Sequence, residues 1–98
     1  MLTINNFNRA ISSIQEDEFD SHKFIKHYIK ECEHEYISML IENFNDSDLD
    51  GAFRNLHSQI GRFLSLNQEQ LNIVKLNDKS SSENIKGDIT PNAQWRKL

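Results

Sequence analysis

With 98 residues, 37% of them hydrophobic and 27% charged, the chain has the composition of one small globular domain rather than of a disordered segment. No run approaches the roughly 18 apolar residues of a membrane span, and Cys32 is the only cysteine, so an intramolecular disulfide is excluded and a reducing, cytoplasmic location is expected. The formal net charge of −4 is unevenly spread: residues 1–50 hold 11 acids against 4 Lys or Arg, while residues 51–98 hold 4 against 7.

The sequence predicts a mostly α fold, one domain over residues 1–98, built as a small bundle of three to four helices with an irregular C-terminal segment. Thr3 can cap a first helix in which Ile4, Phe7, Ile11 and Ile14 recur at steps of three and four. An acidic link, Glu16-Asp17-Glu18, follows. Phe19 stands just before Asp20 and Ser21, either of which can cap the next helix. From Ser21 an apolar set from Phe24 to Phe44 keeps helical spacing, weakest across Lys30-Glu31-Cys32-Glu33-His34-Glu35. Three acids at alternate positions there leave open a kink or a break, with helix on both sides.

Asp46, Ser47 or Asp48 can cap a third helix carrying Leu49, Ala52, Phe53, Leu56, Ile60, Phe63 and Leu64, the most regular amphipathic stretch of the chain. Asn67 can cap a short turn over 68–71. Ile73-Val74-Lys75-Leu76 is too short to classify by period and reads equally as an edge strand or an extended arm. Residues 77–90 read as a surface loop, and Thr90-Pro91 as a cap with a first-turn proline that opens a short terminal helix or tail over 91–98.

Chemistry-bearing motifs are sparse. Asp46, Asp48, Asp50 and Gly51 match the first half of a calcium loop, but the twelfth position is His57, which cannot supply a bidentate carboxylate. His27, Glu31 and His34 would share one face of an unbroken helix, yet a solvated polar face with Lys23 and Lys30 nearby explains them without metal. Cys32 falls on an apolar side with no base placed to form a thiolate. There is no glycine-rich phosphate loop and no nucleophile and base at a recognisable turn. No enzyme, no metal and no cofactor is therefore expected.

What remains is binding. The acidic residues Glu16, Asp17, Glu18 and Asp20, with Glu31, Glu33 and Glu35 beyond, are candidates for steering the chain into a basic groove. Arg54, His57 and Arg62 on the third helix, with Trp95, Arg96 and Lys97 at the end, offer a competing surface suited to a protein or to RNA. Trp95 has two open roles, interface anchor or core residue.

Abundant Asn, Ile, Ser and Lys with little Ala or Gly fit an AT-rich bacterial, phage or mobile-element gene. Three stretches, Phe19-Asp-Ser-His-Lys-Phe-Ile25, His57-Ser-Gln-Ile-Gly-Arg-Phe-Leu64, and Asn84-Ile-Lys-Gly87 with Gln94-Trp95, resemble small proteins of that origin. Within that group the chain resembles anti-CRISPR proteins, specifically inhibitors of the type VI-B RNA-guided RNA nuclease. The resemblance covers most of the chain but transfers no individual site residue. It implies a non-enzymatic inhibitor whose partner is another protein, a nuclease effector or its ribonucleoprotein with its guide RNA. A small nucleic-acid-binding regulator is the alternative.

Overall fold

In the computed structural model, which describes residues 1–46 and 48–98, helix α1 runs Ile4–Ser13 behind Thr3, whose hydroxyl accepts from the Asn6 amide at 3.1 Å. Its Phe7, Ala10 and Ile11 are buried, as a stripe at helical spacing requires. Strand β1, Glu18–Asp20, leads straight into α2, Ser21–Glu31, and Asp20 caps that helix by accepting from the Lys23 amide at 2.8 Å.

The weak stretch after Lys30 is a break. Cys32, at φ −128° and ψ 45°, leaves helical geometry, and α3, Glu33–Asp46, starts at the next residue. Arg9 of α1 sits at this joint: its guanidinium donates to the Glu31 carbonyl and lies 3.5 Å from Cys32 Sγ. It thereby satisfies one of the carbonyls that a terminating helix leaves without a partner. Helix α4, Leu49–Leu66, is capped by Asp48, which accepts from the Gly51 amide at 2.7 Å. Ser47, another of the caps the sequence offers, lies outside the described residues. A single-turn α5, Gln68–Leu71, ends at Asn72 in the left-handed region, at φ 53°.

The expected mostly α class fails after residue 72. Four further strands follow: β2 (Ile73–Lys75), β3 (Ser80–Glu83), β4 (Ile89–Asn92) and β5 (Gln94–Lys97). With β1 they make two small antiparallel sheets, ordered β1-β5-β2 and β3-β4, so the fold is α+β with five helices. Ile73–Lys75 is thus an edge strand. The expected surface loop over 77–90 contains most of a β hairpin, and the expected terminal helix or tail over 91–98 is β structure instead. Pro91 was compatible with either outcome: its fixed φ suits a first helical turn, but it also suits a strand of a two-stranded hairpin, where a missing N–H removes nothing essential.

Strand β5 enters between β1 and β2, pairing Phe19 with Trp95 on one side and Ile73 with Lys97 on the other. Phe19, Ile73 and Trp95 are all buried and close the core laid down by the helices. At its centre Phe7 meets Phe24, Tyr28 and Phe63 at ring-centroid distances of 4.9, 5.3 and 4.4 Å. Helix α4 contributes Leu56, Ile60 and Leu64, each fully buried, and α3 contributes Tyr36 and Met39.

Trp95 is 1% exposed and its indole N–H donates to Ser21 Oγ at 3.0 Å. Trp95→Ala is therefore expected to lower stability by about 3–5 kcal/mol in urea unfolding, against about 1 kcal/mol for Ser21→Ala, which removes only the hydrogen bond. A Trp95→Ala loss of under about 0.5 kcal/mol would place the C-terminal strand outside the cooperative unit.

Candidate functional site

The three stretches that carry the resemblance, distant in sequence, converge on one cleft. Ser21, His22 and Ile25 at the start of α2 form one wall, Arg54, His57 and Ser58 of α4 a second, and the hairpin with its Asn84–Asp88 turn a third. The cleft has a volume of about 430 Å³. It continues past His57 into a second hollow of about 320 Å³ beside Phe53, Lys86 and Asp88.

Local chemistry explains each wall. The hairpin turn is built on Asn84, whose side-chain carbonyl accepts from the Lys86 and Asp88 amides at 2.9 and 3.0 Å. Gly87 completes it at φ +88°, a conformation that a side chain would disfavour. The hairpin is held to α2 by polar contacts, while Ile85 of its turn packs against the core. Asp20 accepts from the Ser80 and Ser82 hydroxyls at 2.9 and 2.6 Å, and the His22 amide donates to Asn92 Oδ1 at 2.9 Å. Burial alone would raise the Asp20 pKa, but the hydrogen bonds from Ser82, from the Lys23 amide and from Ser80 outweigh it and hold the carboxyl below its usual value. His22 Nδ1 faces the Ser82 carbonyl and hydroxyl oxygens at 3.1 and 3.0 Å, while Thr90 Oγ1 lies 3.3 Å from Nε2.

Asp20, His22 and Ser82 have the residue types of a hydrolytic triad without its connectivity. A triad needs the imidazole to accept the serine proton and the carboxylate to orient the imidazole. Here the Ser82 proton goes to Asp20, so the ring can only donate to that hydroxyl. Ser13 and His27, 2.8 Å apart, show the same reversal, because the Ser13 hydroxyl donates to the Ala10 carbonyl at 2.6 Å.

His57 is the residue at the floor of the cleft. Its ring lies between Tyr36 and Phe53, with centroid distances of 5.9 and 6.0 Å, and the Tyr36 hydroxyl is 2.7 Å from Nε2. The Tyr36 hydroxyl thus occupies Nε2, and Nδ1 is left as the ring nitrogen without a protein partner among the described residues. Burial, then the nearby His22 and Lys86, lowers the His57 pKa to about 4, and burial raises that of Tyr36 to about 12. The pair is therefore neutral at physiological pH. Lys86 is paired with Asp50 and sits 5.7 Å from the Phe53 ring centre. Arg54, on the rim, has no ion-pair partner among the described residues.

The acidic candidates are scattered. Glu16 pairs with Lys23, which lowers its pKa, and Glu18 pairs with Arg96 at 3.0 Å across the β1–β5 ladder. Asp17 is exposed, and its carbonyl accepts from the Lys97 amide at 2.8 Å. Asp20 is committed to capping and to the hairpin, as above. Glu31 ends α2, while Glu33 and Glu35 open α3. Arg62 lies exposed two turns along α4 from the cleft residues Arg54 and His57. Lys97 donates to the Ile14 carbonyl. Of the two roles open to Trp95, the structure places it in the core. The break at Cys32 puts His34 on a different helix from His27 and Glu31, so the row needed for a metal is not formed. Burial raises the Cys32 pKa.

A second feature lies on α3. Ile37, Ile41 and Phe44, spaced i, i+4 and i+7, are 47, 55 and 50% exposed, which leaves a continuous apolar stripe on the side of the helix turned from the core. Helix α3 contains Glu33, Glu35, Glu42 and Asp46 and no Lys or Arg. In the sequence all three belong to the apolar set from Phe24 to Phe44 that keeps helical spacing. Tyr36 and Met39 already supply the buried side, so the stripe is wider than the core can cover.

No family model matches the sequence, and neither a curated protein nor a solved structure matches it.

The neutral His57 has a measurable consequence. The unfolded residue titrates near 6.5, so between that pH and about 4 the unfolded chain binds a proton that the folded chain refuses. The stability this residue contributes is full above about pH 6.5 and is lost as pH falls towards about 4. His27, also lowered by burial, adds to the slope, whereas the lowered carboxyls Glu16, Asp20 and Asp50 act at more acid pH. In His57→Phe the pH dependence of the urea midpoint across this window should flatten. An unchanged slope would show that the His57 pKa is the same in the folded and the unfolded chain.

Proposed function

We propose that the chain is a non-enzymatic cytoplasmic inhibitor of the anti-CRISPR type, which blocks an RNA-guided RNA nuclease by stoichiometric contact with the effector. The observation that supports this reading best is the exposed apolar stripe of α3, on a helix that carries Glu33, Glu35 and Glu42 and no Lys or Arg. Three half-exposed large side chains in one row are more than scattered surface apolarity, and contiguous patches of this kind mark contact surfaces. The occupant that fits is the basic, partly apolar wall of a nucleic-acid channel, because such a surface answers both the stripe and the cation-free helix. No helix of the described residues is long and apolar enough to cross a membrane.

The test is a titration of the chain into a purified type VI-B effector loaded with guide RNA, with cleavage of a reporter RNA as the readout. Inhibition should rise linearly and reach its plateau near one equivalent, the mark of a tight stoichiometric complex rather than of turnover. Ile41→Glu, which places a charge in the stripe without touching the core, should weaken inhibition by about 100-fold or more and leave thermal stability unchanged. Continued cleavage at large excess, or complete inactivation far below one equivalent, would overturn the reading. Full activity of Ile41→Glu would remove α3 from it.

A further inference from the structure

The cleft between α4 and the hairpin has a chemistry of its own, separate from the α3 face. Its principal compartment is lined by the Arg54 guanidinium and by polar groups of Ser58 and Asn84, with no carboxylate among the lining residues. On a chain of net charge −4, that is a local reversal of sign. His57 adds its Nδ1, which has no protein partner among the described residues and is not sealed from solvent. With Nε2 held by Tyr36 at 2.7 Å, a proton on Nδ1 would be presented to the cleft. The remaining wall is apolar, made by Ile25, Ile85 and Pro91.

We propose that this cleft is a binding site for a small organic monoanion, with its oxyanion between Arg54, the His57 Nδ1–H and Ser58 and its apolar body against Ile25, Ile85 and Pro91. Each part of the assignment rests on a count of charges and donors. Arg54 is the one Lys or Arg among the lining residues and so matches one negative charge; Asp50 of the adjoining hollow is held by Lys86, with Arg54 also acting on it through space. A polyanion such as an RNA backbone would need more cations than the cleft holds. A bare inorganic anion would leave the apolar wall unused. The volume of about 430 Å³ lies in the range of sites that take such ligands. His57 serves as a neutral donor, which binds an oxyanion without adding a second charge.

Benzoate, benzamide and inorganic phosphate are suitable probes, titrated into the isotopically labelled full chain and followed by NMR at the His57 ring and the Ile85 methyls. Benzoate should give saturable shifts at both residues in the millimolar range expected of a fragment. Benzamide, the same shape without the charge, and phosphate, the charge without the body, should each bind at least about tenfold more weakly. Arg54→Gln should lose about tenfold in benzoate affinity with an unchanged melting temperature, whereas Ile41→Glu should bind benzoate like the parent chain, so a failure here is distinguishable from a failure of the α3 reading. Equal binding of benzoate and benzamide, indifference to Arg54→Gln, or no saturable shift at His57 up to about 50 mM probe would each overturn the proposal.

Discussion

Everything C-terminal of α5 depends on one short polar run, Asp20-Ser21-His22. Asp20 caps α2 and also takes the Ser80 and Ser82 hydroxyls, so one carboxylate ties the helix start to a hairpin 60 residues away. The Ser21 amide donates to the Ala93 carbonyl at 3.0 Å, its hydroxyl accepts the Trp95 indole, and the His22 amide and ring take Asn92, Ser82 and Thr90. A hairpin of sequence Ser-Ser-Ser-Glu opposite Ile-Thr-Pro-Asn has little apolar surface to bury. This node orders it together with Ile85, packed against the core, and Lys86, paired with Asp50.

The node also explains which parts of the fold were legible in the sequence. Helices α1, α2 and α4 were readable because each combines a capping side chain with an apolar row, and Thr3, Asp20 and Asp48 all cap as their types suggest. The break at Cys32 was visible only as a weakening, since its partner, the Arg9 guanidinium, comes from 23 residues away. The strands were not legible. Each is three or four residues long, too short to show a period of two, and Ser80–Glu83 has none of the branched or aromatic residues that favour strands. What makes them strands is long-range pairing: β5 is paired on both sides by segments from opposite ends of the chain.

The cleft was half legible. Arg54 and His57 were recognised as one polar face of a helix, and the stretches around Ser21 and Asn84 stood out as sequence, but nothing local indicates that they meet. Tyr36 is buried, and its hydroxyl reaches His57 Nε2 at 2.7 Å, a contact between two helices that no local spacing indicates. The exposed stripe on α3 was missed for the opposite reason: helical spacing identifies residues that can share a face, not whether the fold has an element left to cover them. Ile37, Ile41 and Phe44 keep the spacing and remain uncovered.

Two surfaces thus divide the molecule. The α3 stripe is apolar and exposed on a helix without Lys or Arg, and the cleft is a small, locally cationic pocket closed by polar contacts. The contact role of α3 is tested most directly by hydroxyl-radical footprinting of the chain alone and in complex with the effector ribonucleoprotein. Oxidation of Ile37, Ile41 and Phe44 should fall several-fold in the complex while that of the exposed Leu66 on α4 stays the same. Undiminished oxidation of the three α3 residues in a complex that nonetheless forms would contradict the account.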